Sequence, residues 1–169
     1  MQTIETPRLT LRYLTPSDAD FIFALLNMED WKKYIGDRKI HTVDHARAYI
    51  QTTYMPHYDQ NGFGNFGVEL KETGQLIGTC GIFKRDGLDH VDVGFAFLPG
   101  YAGKGYAFEA ASQLLDVAKN TYNITTVQGI TVPYNKRSIA LLERLGLQFV
   151  KHLMLPGDDE VLMLFERTL

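Results

Sequence analysis

Between Asn65 and Leu98 the chain reads as three strands separated only by turn signals. They are Asn65 to Leu70, Leu76 to Phe83 and Val91 to Leu98, with Glu72-Thr73-Gly74 and Asp86-Gly87 between them. The spacing predicts an antiparallel meander, because a parallel return needs a crossover of a dozen or more residues. Directly beyond it the hydrophobic period switches from 2 to 3.6. Ala107, Ala110, Ala111, Leu114, Leu115 and Ala118 follow i, i+3, i+4 steps and mark one broad buried helix face. A sheet with a helix laid on it follows, since neither buries its apolar face alone.

The flanking segments extend this pattern. Leu9 to Leu14 alternates as a half-buried strand, and Thr15-Pro16-Ser17-Asp18 opens a helix that runs to about Asn27. A short helical stretch spans Trp31 to Tyr34, and Thr42 caps a third helix with Ala46, Ala48, Tyr49, Ile50 and Tyr54 on its apolar face. Thr125 to Thr131 is a strand. Ser138 to Leu145 is a helix stopped by Gly146, and two last strands, Leu147 to Leu155 and Val161 to Arg167, flank Pro156-Gly157-Asp158. The order β-α-α-α-β-β-β-α-β-α-β-β predicts one α+β domain over residues 1–169. A chain of this length with 45% apolar residues has enough to build its own core. Seventeen Lys and Arg against 20 Asp and Glu leave a net charge of −3, which speaks against a nucleic-acid partner. The longest apolar run, Phe21 to Leu26, is far too short for a membrane span, the first residues lack a signal-peptide pattern, and Cys80 is the lone cysteine. A cytoplasmic protein without membrane contact is expected.

The chemistry concentrates between Val93 and Ala110, where a strand leads through a glycine-rich loop into a helix. Glycines let the main chain approach a ligand closely, and a helix N-terminus aims unpaired N–H groups and a partial positive charge at it. Gly100, Gly103, Lys104 and Gly105 therefore suit an anion, most naturally a phosphate, although a bare strand-to-helix turn uses the same glycines. A Walker loop needs glycine five residues before Gly103 and Ser or Thr after Lys104, where Gly105 stands. A dinucleotide fingerprint needs Gly or Ala where Phe108 stands, after a strand that opens a βαβ unit.

Ala102-Gly103-Lys104-Gly105-Tyr106-Ala107 resembles the acyl-CoA pyrophosphate loop of the GNAT N-acetyltransferase superfamily, Q/R-x-x-G-x-G/A. Gly105 and Ala107 match, and Ala102 departs at the first position. Three more segments resemble the RimJ/RimL-like branch, the ribosomal-protein N-terminal acetyltransferases, in the right order. They are Thr6-Pro7-Arg8-Leu9-x-Leu11-Arg12, Ile77-Gly78-x-Cys80-Gly81, and Asn135-x-x-Ser138-Ile139-x-Leu141-Leu142-Glu143-x-Leu145-Gly146. The resemblance spans essentially the whole chain. It implies a GNAT-like acyl-CoA N-acyltransferase fold: a central, mostly antiparallel mixed sheet of about seven strands, flanked by helices on both faces. It implies an enzyme that transfers an acetyl group from acetyl-CoA, its co-substrate, to a primary amine by direct attack in a ternary complex. The first expected acceptor is a protein N-terminal α-amine. A polyamine, amino acid or antibiotic amine is the alternative, and a non-catalytic acyl-CoA-binding module is a further one. A monomer or homodimer is expected. By the same resemblance, the strand at Val91–Leu98 splays from its successor and pantetheine pairs with main-chain groups at Phe97 and Leu98. The N–H groups of Gly103, Lys104, Gly105, Tyr106 and Ala107 cradle the pyrophosphate, Asn135 bonds the pantetheine arm, and Ser138 lies near the thioester sulfur.

An alkylammonium of pKa ~10 must lose a proton before it attacks, so a carboxylate, acting directly or through water, is the expected base. Asp92 is the candidate, because it shares a strand face with Gly94 and Ala96, which leave room beside it. A strand-end carboxylate in solvent is the plain alternative. Ser138 is the candidate to assist the leaving sulfur, since Leu142 stands where several branches carry Tyr; Ser138 and Asn135 also have ordinary capping roles. Cys80 reads as a small buried hydrophobe, and Glu109 as a first-turn acid explained by the helix dipole. The resemblance, which places acceptor contacts in the early helices, implies that Trp31, Tyr34, Tyr49, Tyr54 and Phe63 cover the acceptor side; they read equally as core. His41 and His45 have a metal-like spacing without an H-E-x-x-H pattern, so no metal is expected. Asp86, Asp89, Asp92 and Asp158-Asp159-Glu160 suggest attraction to a cationic acceptor.

Overall fold

The computed structural model describes residues 3–169. Its strands are β1 (Ile4–Glu5), β2 (Leu9–Tyr13), β3 (Asn65–Leu70), β4 (Gln75–Phe83), β5 (Val91–Phe97), β6 (Thr126–Thr131), β7 (Gln148–Leu153) and β8 (Leu162–Thr168). They form one eight-stranded sheet in the order β1-β2-β3-β4-β5-β6-β8-β7. Every pairing is antiparallel except β5 with β6. The sheet holds one strand more than the sequence pattern shows, because Ile4–Glu5, paired with Leu11 and Thr10, is too short to alternate.

Six α-helices accompany the described strands: α1 (Ala19–Asn27), α2 (Glu29–Tyr34), α3 (Val43–Tyr49), α4 (Met55–Asn61), α5 (Tyr106–Tyr122) and α6 (Lys136–Arg144). Helices α5 and α6 bury Ala110, Ala111, Leu114, Leu115, Ala118 and Leu142 with Leu9, Leu11, Ile77 and Val93. Helices α1 to α4 build a second core from Ile22, Leu25, Leu26, Trp31, Ile50 and Tyr54 against Leu14. Strand β5 shows that these cores lie on opposite faces: Phe95 and Phe97 pack with the first, Ala96 and Leu98 with the second. The caps are those the sequence signals. Thr42 Oγ1 accepts from His45 N–H at 3.0 Å, and Gly146 takes the left-handed conformation after α6 at φ 87°.

The third predicted helix runs on past Tyr54. It continues through Pro56 to Asn61, because Ile50–Tyr54 widens into a π turn in which Met55 N–H donates to Ile50 O. The wider turn accommodates a proline that lacks a donor. It also turns Tyr54 inward, leaving it 6% exposed.

The glycines of Ile77-Gly78-x-Cys80-Gly81 have a packing reason. A Cβ at Gly78 would lie 2.5 Å from Phe97 Cδ1 and 2.6 Å from Ala96 O, and one at Gly81 would lie 2.6 Å from Gly64 O. Gly78 lets β4 lie against β5, the strand that borders the site, and Gly81 lets β4 lie against the start of β3. On its other edge β5 pairs with β6 only at Val91↔Val127 and Asp92↔Gln128, after which the two strands part.

Candidate active site at the splayed strands

The opening between β5 and β6 is the base of a cleft of about 810 Å³. Leu98 N–H donates to Ile77 O at 2.9 Å, so the main-chain groups of Leu98 face β4. Adjacent strand residues alternate edges, which leaves those of Phe97, Phe95 and Val93 on the opened side. Leu98 O accepts from Tyr101 N–H at 3.2 Å. Both main-chain groups of Leu98 already have partners, whereas Phe97 lines the cleft.

At the mouth of the splay, Gly100, Gly103 and Gly105 all adopt left-handed φ, at 91°, 76° and 81°. A Cβ on Gly100 or Gly103 would meet nothing within 4 Å, so the loop faces open space. Gly105 is the N-cap of α5, and no side chain caps the helix. The first-turn N–H groups of Tyr106, Ala107 and Phe108 thus have neither an intrahelical acceptor nor a capping oxygen. Such an uncapped terminus, with the macrodipole behind it, fits a pyrophosphate. Gly103, Gly105, Tyr106 and Ala107 line the cleft, and Lys104 stands outside its lining with its Nζ 5.7 Å from the Tyr101 ring centre.

The loop is held from the other end of the chain. Thr6 Oγ1 donates to Glu109 Oε1 at 2.6 Å, Arg8 N–H to the same oxygen at 2.8 Å, and Arg8 Nε to Glu109 Oε2 at 2.6 Å. Arg8 Nη1 also donates to Lys104 O at 3.0 Å, and the guanidinium lies 4.5 Å over the Tyr106 ring. Burial raises the Glu109 pKa, but bonds from Thr6 and Arg8 outweigh it and hold the group below the usual carboxylate range. Glu109 therefore does more than complement a helix dipole. The Thr6-Pro7-Arg8 segment, visible in sequence only as part of a pattern, is the brace of the glycine loop.

Asn135 Oδ1 accepts from Ser138 N–H at 3.2 Å, which caps α6 and brings both side chains to the cleft wall. Leu142 is 1% exposed, and its Cδ2 would lie 2.5 Å from a Cβ on Gly129. The position is filled by packing.

Asp92 lines the same cleft and is 1% exposed, so it is not a solvated strand-end acid. Arg85 Nε donates to its Oδ1 and Oδ2 at 2.9 and 3.0 Å. Burial pushes the Asp92 pKa up to about 6, with the Arg85 charge pulling the other way. A carboxylate poised there is mostly unprotonated at neutral pH and still an effective proton acceptor.

Of the aromatic residues expected near the acceptor, Trp31, Tyr34, Tyr49 and Tyr54 line the cleft. Phe63 does not, and packs on Tyr122 at 5.1 Å between ring centres. The acidic residues Asp86, Asp89, Asp158, Asp159 and Glu160 are also outside the lining. Arg38, Lys84, Arg85, Arg137 and Arg144 are in it. Sequence reasoning missed these cations because a basic residue looks the same whether solvated or aimed inward. Cys80 is fully buried, and burial pushes its thiol up to about 12. Native protein should therefore give no colour with a disulfide reagent until denatured; prompt labelling of the folded chain would contradict this packing.

Residues 8–148 match the sequence profile of the Acetyltransferase (GNAT) domain. The uncharacterized N-acetyltransferase p20 of Bacillus licheniformis is 32% identical over 150 residues, covering 88% of this chain and 83% of the relative. An acetyltransferase structure from Agrobacterium tumefaciens superposes with a TM-score of 0.84 at 27% identity, covering 100% of this chain and 95% of the other. The ribosomal L7/L12 α-N-protein acetyltransferase RimL, solved with coenzyme A, shares the fold with a TM-score of 0.84 at 13% identity, covering 99% and 98%. The braced glycine loop, the parted strands and these matches agree: the chain belongs to the GNAT acetyltransferase family, and is an acetyl-CoA-dependent N-acetyltransferase.

Proposed function

We propose that this enzyme acetylates an α-amine by direct attack, with Asp92 as the base. The observation that carries the reading is the buried Asp92 carboxylate beside the opened β5 edge, in the same cleft as an uncapped, glycine-built helix N-terminus. Acetyl-CoA supplies the acyl group as a thioester. Tyr106, Ala107 and the Gly103–Gly105 turn hold its pyrophosphate through main-chain N–H groups, and the Asn135 amide and the free edge at Phe97 hold the pantetheine arm. Asp92, oriented by Arg85, takes a proton from the ammonium directly or through one water. The amine then forms the N–C bond as the C–S bond breaks. N–H groups on the opened side of β5 meet the oxyanion, and the Ser138 hydroxyl orients the sulfur, which leaves as thiolate and becomes thiol on taking up the second proton, shed by the newly acylated nitrogen.

RimL acts on a ribosomal protein's α-amine, and a polypeptide N-terminus is the first acceptor proposed here. A small amine that also bears an anionic group is the second reading, because the cationic side chains in the cleft lining repel a purely cationic amine. Thiol release from acetyl-CoA, followed across peptide N-termini and small amines, tests the proposal. Release matched by N-acetylated product is expected. Tight acetyl-CoA binding without release for any amine would overturn it in favour of a non-catalytic acyl-CoA-binding module.

A further inference from the structure

The wall opposite the glycine loop, built by α2, the segment after it, the π turn and the start of β3, carries unused donors. Acids in the whole cleft lining number two, Asp30 and Asp92, and Asp92 is already bonded to Arg85. Arg38, Lys84, Arg137 and Arg144 line the cleft too, and none of the four enters an ion pair among the described residues; Arg38 alone of them comes from the segment that follows α2. Trp31, 8% exposed, also lines it, and its indole Nε1–H is a buried donor with no acceptor among the described residues. A buried donor without a partner is costly and rare, and calls for an explanation.

Arg38 is presented by a tightly held segment. Gly36 lies at φ 130°, and Lys39 holds a left-handed φ of 55°, uncommon for a residue with a side chain. Gly36 N–H donates to Trp31 O at 3.0 Å, Lys39 N–H to Asp37 Oδ1 at 2.8 Å, and Asn27 Nδ2 to Ile40 O at 2.8 Å. Strain of this kind persists where surrounding structure fixes it, often at ligand contacts. The Arg38 charge also reaches inward. Burial holds the Tyr54 phenol well above its ordinary pKa, and Arg38 is one of the groups that pull it back.

We propose that the acceptor carries an anionic group, a carboxylate or a phosphate, close to its amine, and that Arg38 binds that group. This rests on the acetyl-transfer reading and names its substrate class. Arg38 offers five donors in a planar fork that matches either anion, and Lys84, also in the lining, adds positive charge. The opposite ends of the acceptor then meet opposite charges: its anion at Arg38, its ammonium at Asp92. The anion has two sources, a free small molecule or an acidic first side chain of a peptide.

Matched pairs separate them: alanine against alaninamide, O-phosphoethanolamine against ethanolamine, and tripeptide amides beginning with Glu against Gln. Each is titrated calorimetrically into the full chain saturated with coenzyme A, so that no reaction intervenes, and each is then assayed for thiol release with acetyl-CoA. The anionic member of at least one pair should bind about 10- to 100-fold more tightly, the span expected for a charge-assisted contact. Arg38→Gln should collapse that preference, and Arg38→Lys should restore part of it. The pair showing the preference identifies the source. Equal binding of both members in every pair, or a preference that survives Arg38→Gln, overturns the assignment. Anion-selective binding with no thiol release supports the Arg38 site while overturning the transfer reading. Thiol release that ignores the anion does the reverse.

Discussion

Asp92→Asn should lower kcat by about two to four orders of magnitude while leaving acetyl-CoA affinity nearly unchanged, the range expected for loss of a general base. Wild-type kcat/KM should rise through pH 6 and level off above it, because the base must be unprotonated and its pKa stands at about 6. The variant should lose that acid limb. The same substitution should raise Tm at pH 8. A carboxyl whose folded pKa exceeds its unfolded value destabilises the fold progressively as pH rises from about 4 through about 6, and the penalty is complete above that. Asparagine removes the penalty, and Arg85, 36% exposed, retains solvent as a partner. The gain in Tm should vanish near pH 4. An unchanged pH profile with full turnover would remove Asp92 from the reaction.

Gly105→Val should weaken acetyl-CoA binding by about ten-fold or more, the effect of crowding main-chain donors that must approach a phosphate closely. The cause is local. Gly105 sits at φ 81°, where a β-branched residue costs about 1–2 kcal/mol, and its Cβ would lie 3.3 Å from Arg8 Nη2. The new side chain strains the cap of α5 and pushes on the guanidinium that bonds Lys104 O. Gly103→Ala is the informative comparison: its Cβ meets nothing within 4 Å, so its effect isolates the backbone conformation from the steric contact. Calorimetry with acetyl-CoA checks both variants, and a Gly105→Val protein with wild-type affinity would exclude this loop from cofactor binding.

The meander, the glycine loop and helix α5 were legible because each rests on short-range rules: turn residues, positive-φ glycines and a 3.6 period. The face of β5 that carries Asp92 followed from simple alternation. What could not be read were features decided by a distant partner. The carboxylate of Asp92 gave no sign of being closed off by Arg85, nor Glu109 of being held by Thr6 and Arg8. Leu98 looked equivalent to Phe97 until the hydrogen bond to Ile77 showed which edge each one faces. Pro56 would ordinarily signal a helix end, and only the preceding π turn lets the helix continue. The acidic balance of the chain pointed to a cationic acceptor. Global charge, however, says little about a cleft whose lining holds Arg38, Lys84, Arg85, Arg137 and Arg144 out of the 17 Lys and Arg residues.

The brace between Thr6, Arg8 and Glu109 joins residues more than a hundred positions apart in the chain, with separations of 103 and 101. Contacts of such span form late, because the loop-closure entropy must be met before they stabilise anything. The N-terminus of helix α5 gains this support only once the segment before β2 has docked on it. If the proposed cofactor site is right, competence to bind acetyl-CoA should emerge no earlier in refolding than that docking, which stopped-flow helical signal and acetyl-CoA binding followed together would show.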